Sequence, residues 1–322
     1  MIRIGIAGYG NVGRGVERAV SAAPDMTLAA VFTRRDPASL KLFSGSASVY
    51  PLSDVEKMTG DIDVMILCGG SATDLREQGP WLASLFNVVD SYDNHTQIPD
   101  YLASIDAAAK NTTAVISSGW DPGLFSIIRL ISSAVLPDGE SYTFWGRGVS
   151  QGHSDAIRHI EGVKNAVQYS VPIDDAVNSV RRGDRPKLTA REKHLRECYV
   201  VVEPGADKNL IEKSIKGIPY YFADYDTTVC FIEDEEFLER HSSMPHGGMV
   251  LHSGATYENR HMIEYSLKLD SNPDFTGSVM TACARAAYRL ASEGAYGAKT
   301  VFDIPLSYLS ANDRQTLIKE LL

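Results

Sequence analysis

Short apolar runs alternate with longer amphipathic ones over the first 120 residues, a pattern that predicts strands joined by crossover helices in a parallel sheet. The expected strands are Ile2 to Ala7, Leu28 to Thr33, Val64 to Cys68, Val88 to Asp90 and Ala114 to Ser117. Three read as nearly continuous apolar runs, as strands covered on both faces do. Helical periodicity spans Val12 to Ala22 and Tyr101 to Lys110, with weaker stretches at Asp54 to Met58 and Gln78 to Leu85. After Pro122 the pattern becomes a mixed α+β layer, with strands at Tyr142 to Trp145, Ala166 to Val171, Cys198 to Glu203, Thr227 to Ile232 and Met262 to Leu269. Asn272-Pro273 reads as an N-cap followed by proline at the first helical position, with Gly294 as the stop. That helix and the final segment from Ala311 to Leu322 are expected to pack back onto the first domain. The basic stretch Arg181 to Arg185 and the acidic stretch Glu233 to Glu236 read as solvated loops.

A chain of 322 residues at this composition holds about two domains. Its 31 Lys and Arg against 41 Asp and Glu give a net charge of -10, the wrong sign for holding nucleic acid or an acidic membrane by bulk electrostatics. An anionic ligand then needs a local cluster of cations. Cys68, Cys198, Cys230 and Cys283 lie far apart, and the eight histidines show no ligand spacing, so neither a disulfide framework nor a metal is expected. No basic leader precedes Ile2, and no run approaches the ~18 apolar residues of a membrane span. A cytoplasmic protein is expected.

Gly8, Tyr9, Gly10, Asn11, Val12 and Gly13 follow a predicted strand and open a predicted helix. In that context the first glycine permits the tight turn, the second a close approach to a pyrophosphate, and the third helix-to-strand packing. Where an NAD-binding chain offers an acid to the ribose, this one offers Thr33, Arg34 and Arg35. Two guanidiniums suit a 2′-phosphate, so NADP is the expected cofactor. Asp36 comes late and faces both cations. The fold class is therefore α/β, a Rossmann-type doubly wound parallel sheet with an inserted α+β domain. Residues 1–121 and about 270–322 are assigned to dinucleotide binding and 122–269 to the substrate domain.

Ligands of such sheets bind beyond the carboxyl ends of the strands. Cys68, Gly69, Gly70, Ser71, Ala72 and Thr73 follow the third strand, Ser91, Tyr92, Asp93 and Asn94 a later one, and Trp120, Asp121, Pro122, Gly123 and Leu124 the last. Asp93 and Asp121 thus fall near the nicotinamide end, where carboxylates suit a substrate ammonium. Asp121 could instead cap the helix from Leu124 to Leu136. Farther on, Trp145-Gly146-Arg147-Gly148, Ser150-Gln151-Gly152-His153-Ser154-Asp155 and Met244-Pro245-His246-Gly247-Gly248 read as loops that approach a ligand or simply turn.

These blocks, together with Thr143-Phe144-Trp145-Gly146 and Leu269-Asp270-Ser271-Asn272-Pro273-Asp274-Phe275, resemble the meso-diaminopimelate D-dehydrogenase family over nearly the whole chain. The resemblance implies reversible NADP-dependent oxidative deamination of the D-centre of meso-diaminopimelate, giving L-2-amino-6-oxopimelate and ammonia. It implies that Asp93 and Asp121 hold the reacting amino group and that Trp145, Gln151 and Gly152 shape that end. Ser170, Arg196, His246 and Asn272 would hold the distal L-centre, with Arg196 and His246 as its cations. It also implies a homodimer through the middle of the chain, which makes the inserted domain a dimerisation domain. Ser170 stands where one member of the family carries threonine, Gly69 where it carries methionine, and Arg147 where it carries proline. Other possibilities are a dihydrodipicolinate reductase-like enzyme, a semialdehyde dehydrogenase-like enzyme with a nucleophilic cysteine such as Cys68, and a silent NADPH sensor.

Overall fold

The computed structural model describes residues 1–45, 47–71, 73–219 and 221–322. In chain order, the first part holds β1 (Ile2–Ala7), α1 (Asn11–Ala22), β2 (Met26–Thr33), β3 (Ser48–Pro51), β4 (Val64–Leu67), α2 (Leu75–Ala83), β5 (Asn87–Asp90), α3 (Ile98–Ala108), β6 (Thr113–Val115) and α4 (Leu124–Val135). Then follow β7 (Gly139–Trp145), β8 (Gly148–Val149), α5 (Gln151–Arg158), β9 (Val163–Pro172), α6 (Asp174–Arg181), α7 (Ala190–Lys193), β10 (His194–Val202), α8 (Lys208–Lys216), β11 (Asp226–Phe231), α9 (Asp234–Arg240), β12 (His246–Thr256) and β13 (Asn259–Leu269). The chain closes with α10 (Asn272–Ser292), β14 (Gly297–Lys299) and α11 (Arg314–Leu321).

These elements fall into two units, one of Met1–Ile127 with Pro273–Leu322, the other of Ile128–Asn272. In the first, seven strands run parallel in the order β14-β6-β5-β4-β1-β2-β3. This is the Rossmann-type doubly wound sheet, reversing its winding between β1 and β4. Ile4 and Ile6 face a layer built from Val16 and Val20 of α1 and Met280, Ala284 and Ala287 of α10. The opposite face packs Phe32 and Met65 against Leu75, Leu82, Tyr101 and Ile105. Helices α1 and α10 cross closely, because a Cβ at Gly277 would lie 2.4 Å from the Gly15 carbonyl carbon.

The second unit is α+β. Its four-stranded sheet runs β11-β10-β9-β8 and its three-stranded antiparallel sheet β13-β12-β7. Ser170 of β9 lies opposite Arg196 of β10. Several local expectations need correction. Glu233 to Glu236 is not a loop; Asp234, Glu235 and Glu236 form the first turn of α9, where the helix dipole favours acids. Arg181 is the last residue of α6 rather than a loop residue, and it pairs with Glu264. Gln151 and Gly152 open α5, and His246 to Gly248 open β12. Leu52–Met58 is a 3-10 helix.

Candidate active site

The glycine loop leaves β1 with Gly8 at φ +94 and its amide bonded to the Phe32 carbonyl at 2.9 Å, so the turn is fastened to β2. A Cβ at Gly13 would lie 2.3 Å from the Gly8 carbonyl oxygen, which only glycine avoids. Gly10 is the N-cap of α1, and the first turn carries no acid, so the positive helix end stays available to a phosphate. Beside it, the Arg35 guanidinium donates to the Tyr9 carbonyl, and the Arg35 amide donates to Thr33 Oγ1 at 3.0 Å. Arg34 is exposed and paired with Asp74 at 2.8 Å. Asp36 spends its carboxylate on the Ala38 amide at 3.0 Å, so it turns the chain. The residues present fit a 2′-phosphorylated dinucleotide.

Across the winding reversal, the Cys68 amide bonds to the Ala7 carbonyl at 2.7 Å. The Gly70 carbonyl accepts from the amides of Asp74 and Leu75, and the Asp74 carboxylate accepts from the Gly70 amide at 3.1 Å. Ser71 Oγ accepts from the Asp93 amide at 3.2 Å, tying this loop to the next. Ala72 lies outside the described residues. Burial drives the Cys68 thiol pKa up, which disfavours the thiolate that a semialdehyde chemistry needs.

Asp93 is exposed at the end of β5, and Asp121 is half-buried after β6. Asp90, fully buried, joins their loops. Its Oδ1 accepts from the Tyr92 amide at 2.9 Å and the Ser117 amide at 3.0 Å, its Oδ2 from the Tyr101 hydroxyl at 2.7 Å, and its carbonyl from the Ser118 amide and hydroxyl, each at 2.8 Å. Tyr92 turns its ring inward, stacked on Tyr101 at 4.1 Å. The first amides of α4, at Leu124 and Phe125, are taken by the carbonyls of Gly119 and Trp120. Trp120 packs edge-on against Phe125.

In the second unit Arg196 is 5% exposed, yet no carboxylate pairs with it among the described residues. Its Nη1 donates to Ser170 Oγ, the Tyr225 ring lies 3.9 Å from its guanidinium carbon, and its Nε finds no hydrogen-bond partner among the described residues. A buried cation in this state is poised for an anion. Around it the histidines are held neutral. Burial and then Arg196 push His153 down to about 4 and His194 to about 3, and burial lowers His246. That burial disfavours the charged form of His246, so Arg196 is the stronger of the two expected cations. The Trp145 amide donates to His194 Nε2 at 2.8 Å, and the two rings stack at 5.3 Å. Gln151 Nε2 lies 3.3 Å from Met244 Sδ, and the Asn272 amide bonds to the Met244 carbonyl at 3.0 Å.

The depressed histidines carry a stability prediction. When the chain unfolds, His153 and His194 return toward 6.5 and take up protons. Stability is therefore held above about pH 6.5 and lost as pH falls toward the folded values, at about 1.4 kcal/mol per pH unit for each ring. Urea midpoints measured between about pH 7.5 and about pH 5 should show this slope, and His194→Gln should remove its share, up to about 1.4 kcal/mol per pH unit. An unchanged slope in the variant would mean that His194 is not the buried neutral ring described.

Asp90, Tyr101, His194 and Tyr225 were not singled out by sequence. Their importance comes from partners distant in the chain, and no local motif marks them.

Glycine loop, cationic ribose end and strand-end acids define an NADP-dependent oxidoreductase. A profile described as the diaminopimelic acid dehydrogenase C-terminal domain matches residues 119–271. The meso-diaminopimelate D-dehydrogenase of Ureibacillus thermosphaericus is 59% identical over 100% of this chain and 99% of its own. The solved structure of C. glutamicum DAP dehydrogenase in complex with DAP matches with a TM-score of 0.94 at 44% identity, covering 100% of this chain and 99% of that one. An engineered D-amino acid dehydrogenase bound to NADP+ matches with a TM-score of 0.90 at 43% identity, again over 100% and 99%. The chain belongs to the meso-diaminopimelate D-dehydrogenase family.

Proposed function

We propose that Asp93 and Asp121 receive the reacting amino group in the NADP-dependent oxidative deamination of the D-centre of meso-diaminopimelate, a reaction of lysine biosynthesis. Substrate, NADP+ and water give L-2-amino-6-oxopimelate, ammonia, NADPH and a proton. When bound, NADP+ supplies the hydride acceptor. The protein's own work is to bind, orient and deprotonate. Gly8 to Gly13 and the first turn of α1 would hold the pyrophosphate, and Thr33, Arg34 and Arg35 the 2′-phosphate. The loops at 68–73, 91–93 and 120–124 line the rest of the cofactor site. Hydride loss requires a neutral amine, so Asp121, or water ordered by Asp93 and Asp121, takes the ammonium proton. Trp145, Gln151 and Gly152 shape this end of the substrate.

The observation that carries the proposal is Arg196, a buried guanidinium with an unpartnered Nε beside Ser170. Diaminopimelate has two ammoniums and two carboxylates, and only a site with acids and cations in a fixed order matches both ends. Arg196, Ser170, His246 and Asn272 clamp the L-centre, so only the D-centre can present its hydrogen for transfer. The inserted unit then serves substrate binding and, through exposed apolar residues such as Leu210, Leu238 and Tyr257, a homodimer. The four unpaired cysteines fit a reducing cytoplasm. Purified protein mixed with NADP+ and meso-diaminopimelate at alkaline pH should raise NADPH absorbance, with the LL isomer silent and the DD isomer slower. No signal with the meso isomer would overturn the proposal.

A further inference from the structure

We infer that Asp90 is the positioning residue that sets Asp93 and Asp121 in one register, with Tyr101 holding Asp90 in turn. The inference rests on the roles proposed for those two acids. Asp90 is wholly buried and carries no role in the reaction as described, yet every hydrogen bond it accepts fixes one of the two loops or the phenol behind them. One carboxylate oxygen takes the amides of Tyr92 and Ser117, at 2.9 and 3.0 Å. Tyr92 immediately precedes Asp93, and Ser117 begins the loop that leads to Asp121. The Asp90 carbonyl binds Ser118 twice. The loops therefore share a single acceptor group and cannot shift independently without leaving a buried amide unpaired.

Two further features support a purpose beyond general stability. Ser117 sits at φ +54, the left-handed region that non-glycine residues avoid, and its amide in that conformation points to Asp90. A Cβ on Gly119 would lie 3.6 Å from Ser91 Cβ, so the two loops already run side by side between Asp90 and the acids. The second carboxylate oxygen is fixed by the Tyr101 hydroxyl at 2.7 Å, which stops the group from rotating away from the amides.

Steady-state kinetics and NADPH fluorescence titration of Asp90→Ala, Asp90→Asn and Tyr101→Phe, with Asp121→Asn alongside, test this. Asp90→Ala removes the shared acceptor, and kcat should fall about 30-fold or more, while the NADPH dissociation constant, set mainly by the phosphate contacts of the β1 and β2 loops, should rise no more than about threefold even though the 91–93 and 120–124 loops also line that site. Asp90→Asn keeps an oxygen for both amides, and kcat should recover to within about threefold of wild type. Tyr101→Phe should lose about two- to fivefold in kcat, with the dissociation constant again unmoved. If Asp90→Ala does not fold, Asp90→Ser carries the same expectation, since its hydroxyl and a water leave the cavity polar. Wild-type kcat in the Ala or Ser variant, equal losses in kcat and NADPH affinity, or a failure of Asn to rescue would each overturn the inference. Wild-type turnover in Asp121→Asn would instead overturn the roles on which it rests.

Discussion

Asp121→Asn is expected to lose about 10²- to 10⁴-fold in turnover of meso-diaminopimelate while binding NADPH almost as the parent does, because general-base steps contribute on that scale. The substitution keeps the size and planar shape of the side chain. The head of α4 is fastened by the carbonyls of Gly119 and Trp120, so the helix keeps these bonds in the variant. What changes is the ability to hold an ammonium and take its proton. Stopped-flow measurement of NADPH formation, with fluorescence titration of NADPH as the control, separates chemistry from cofactor binding. Parental turnover in the variant would remove Asp121 from the reaction.

Arg196→Met is expected to act in opposite directions on activity and on stability. In the free protein the guanidinium is buried against Ser170 and the Tyr225 ring without a counter-charge, and burial lowers its pKa. Replacing a charge in that position with an apolar side chain of similar length is neutral or stabilising by about 1–4 kcal/mol. In the complex the same change strands the distal carboxylate of the substrate, at about 3–5 kcal/mol, or about 10² to 4 × 10³ in kcat/KM for meso-diaminopimelate. The KM for NADP+ should stay within about twofold. Urea denaturation beside steady-state kinetics tests both halves. A variant that loses stability together with activity would make Arg196 part of the structural core and not a ligand-binding cation.

What could be read from sequence depended on whether its physics is local. The turn at Gly8, the helix start at Gly10 and the close packing at Gly13 are consequences of adjacent residues, so the loop could be placed before any tertiary contact was known. The Arg34-Arg35 pair was legible for the same reason. Strand β12 was not. Its buried stretch includes His252, Ser253 and Gly254, and the apolar alternation that marks a strand is lost there. His252 is tolerated because its Nδ1 lies 2.7 Å from Ser141 Oγ and its Nε2 2.9 Å from the Leu136 carbonyl, partners more than a hundred residues away. The same limit hid Asp90, whose bond to the Ser117 amide spans 27 positions. Strand β14 is three residues long and is defined by its pairing with β6, not by its own composition.

That last pairing bears on the order in which the molecule can be assembled during synthesis. The sheet that carries the cofactor loops takes its edge strand β14 and its covering helix α10 from residues that emerge only after the whole of 128–272 has been made. A nascent chain that ends at Ile127 has β6 without its outer partner, and the layer around Ile4, Val16 and Val20 lacks the face supplied by Met280, Ala284 and Ala287. The substrate half of the sequence is therefore available to fold while the cofactor half is still open, although the cofactor half begins at the first residue.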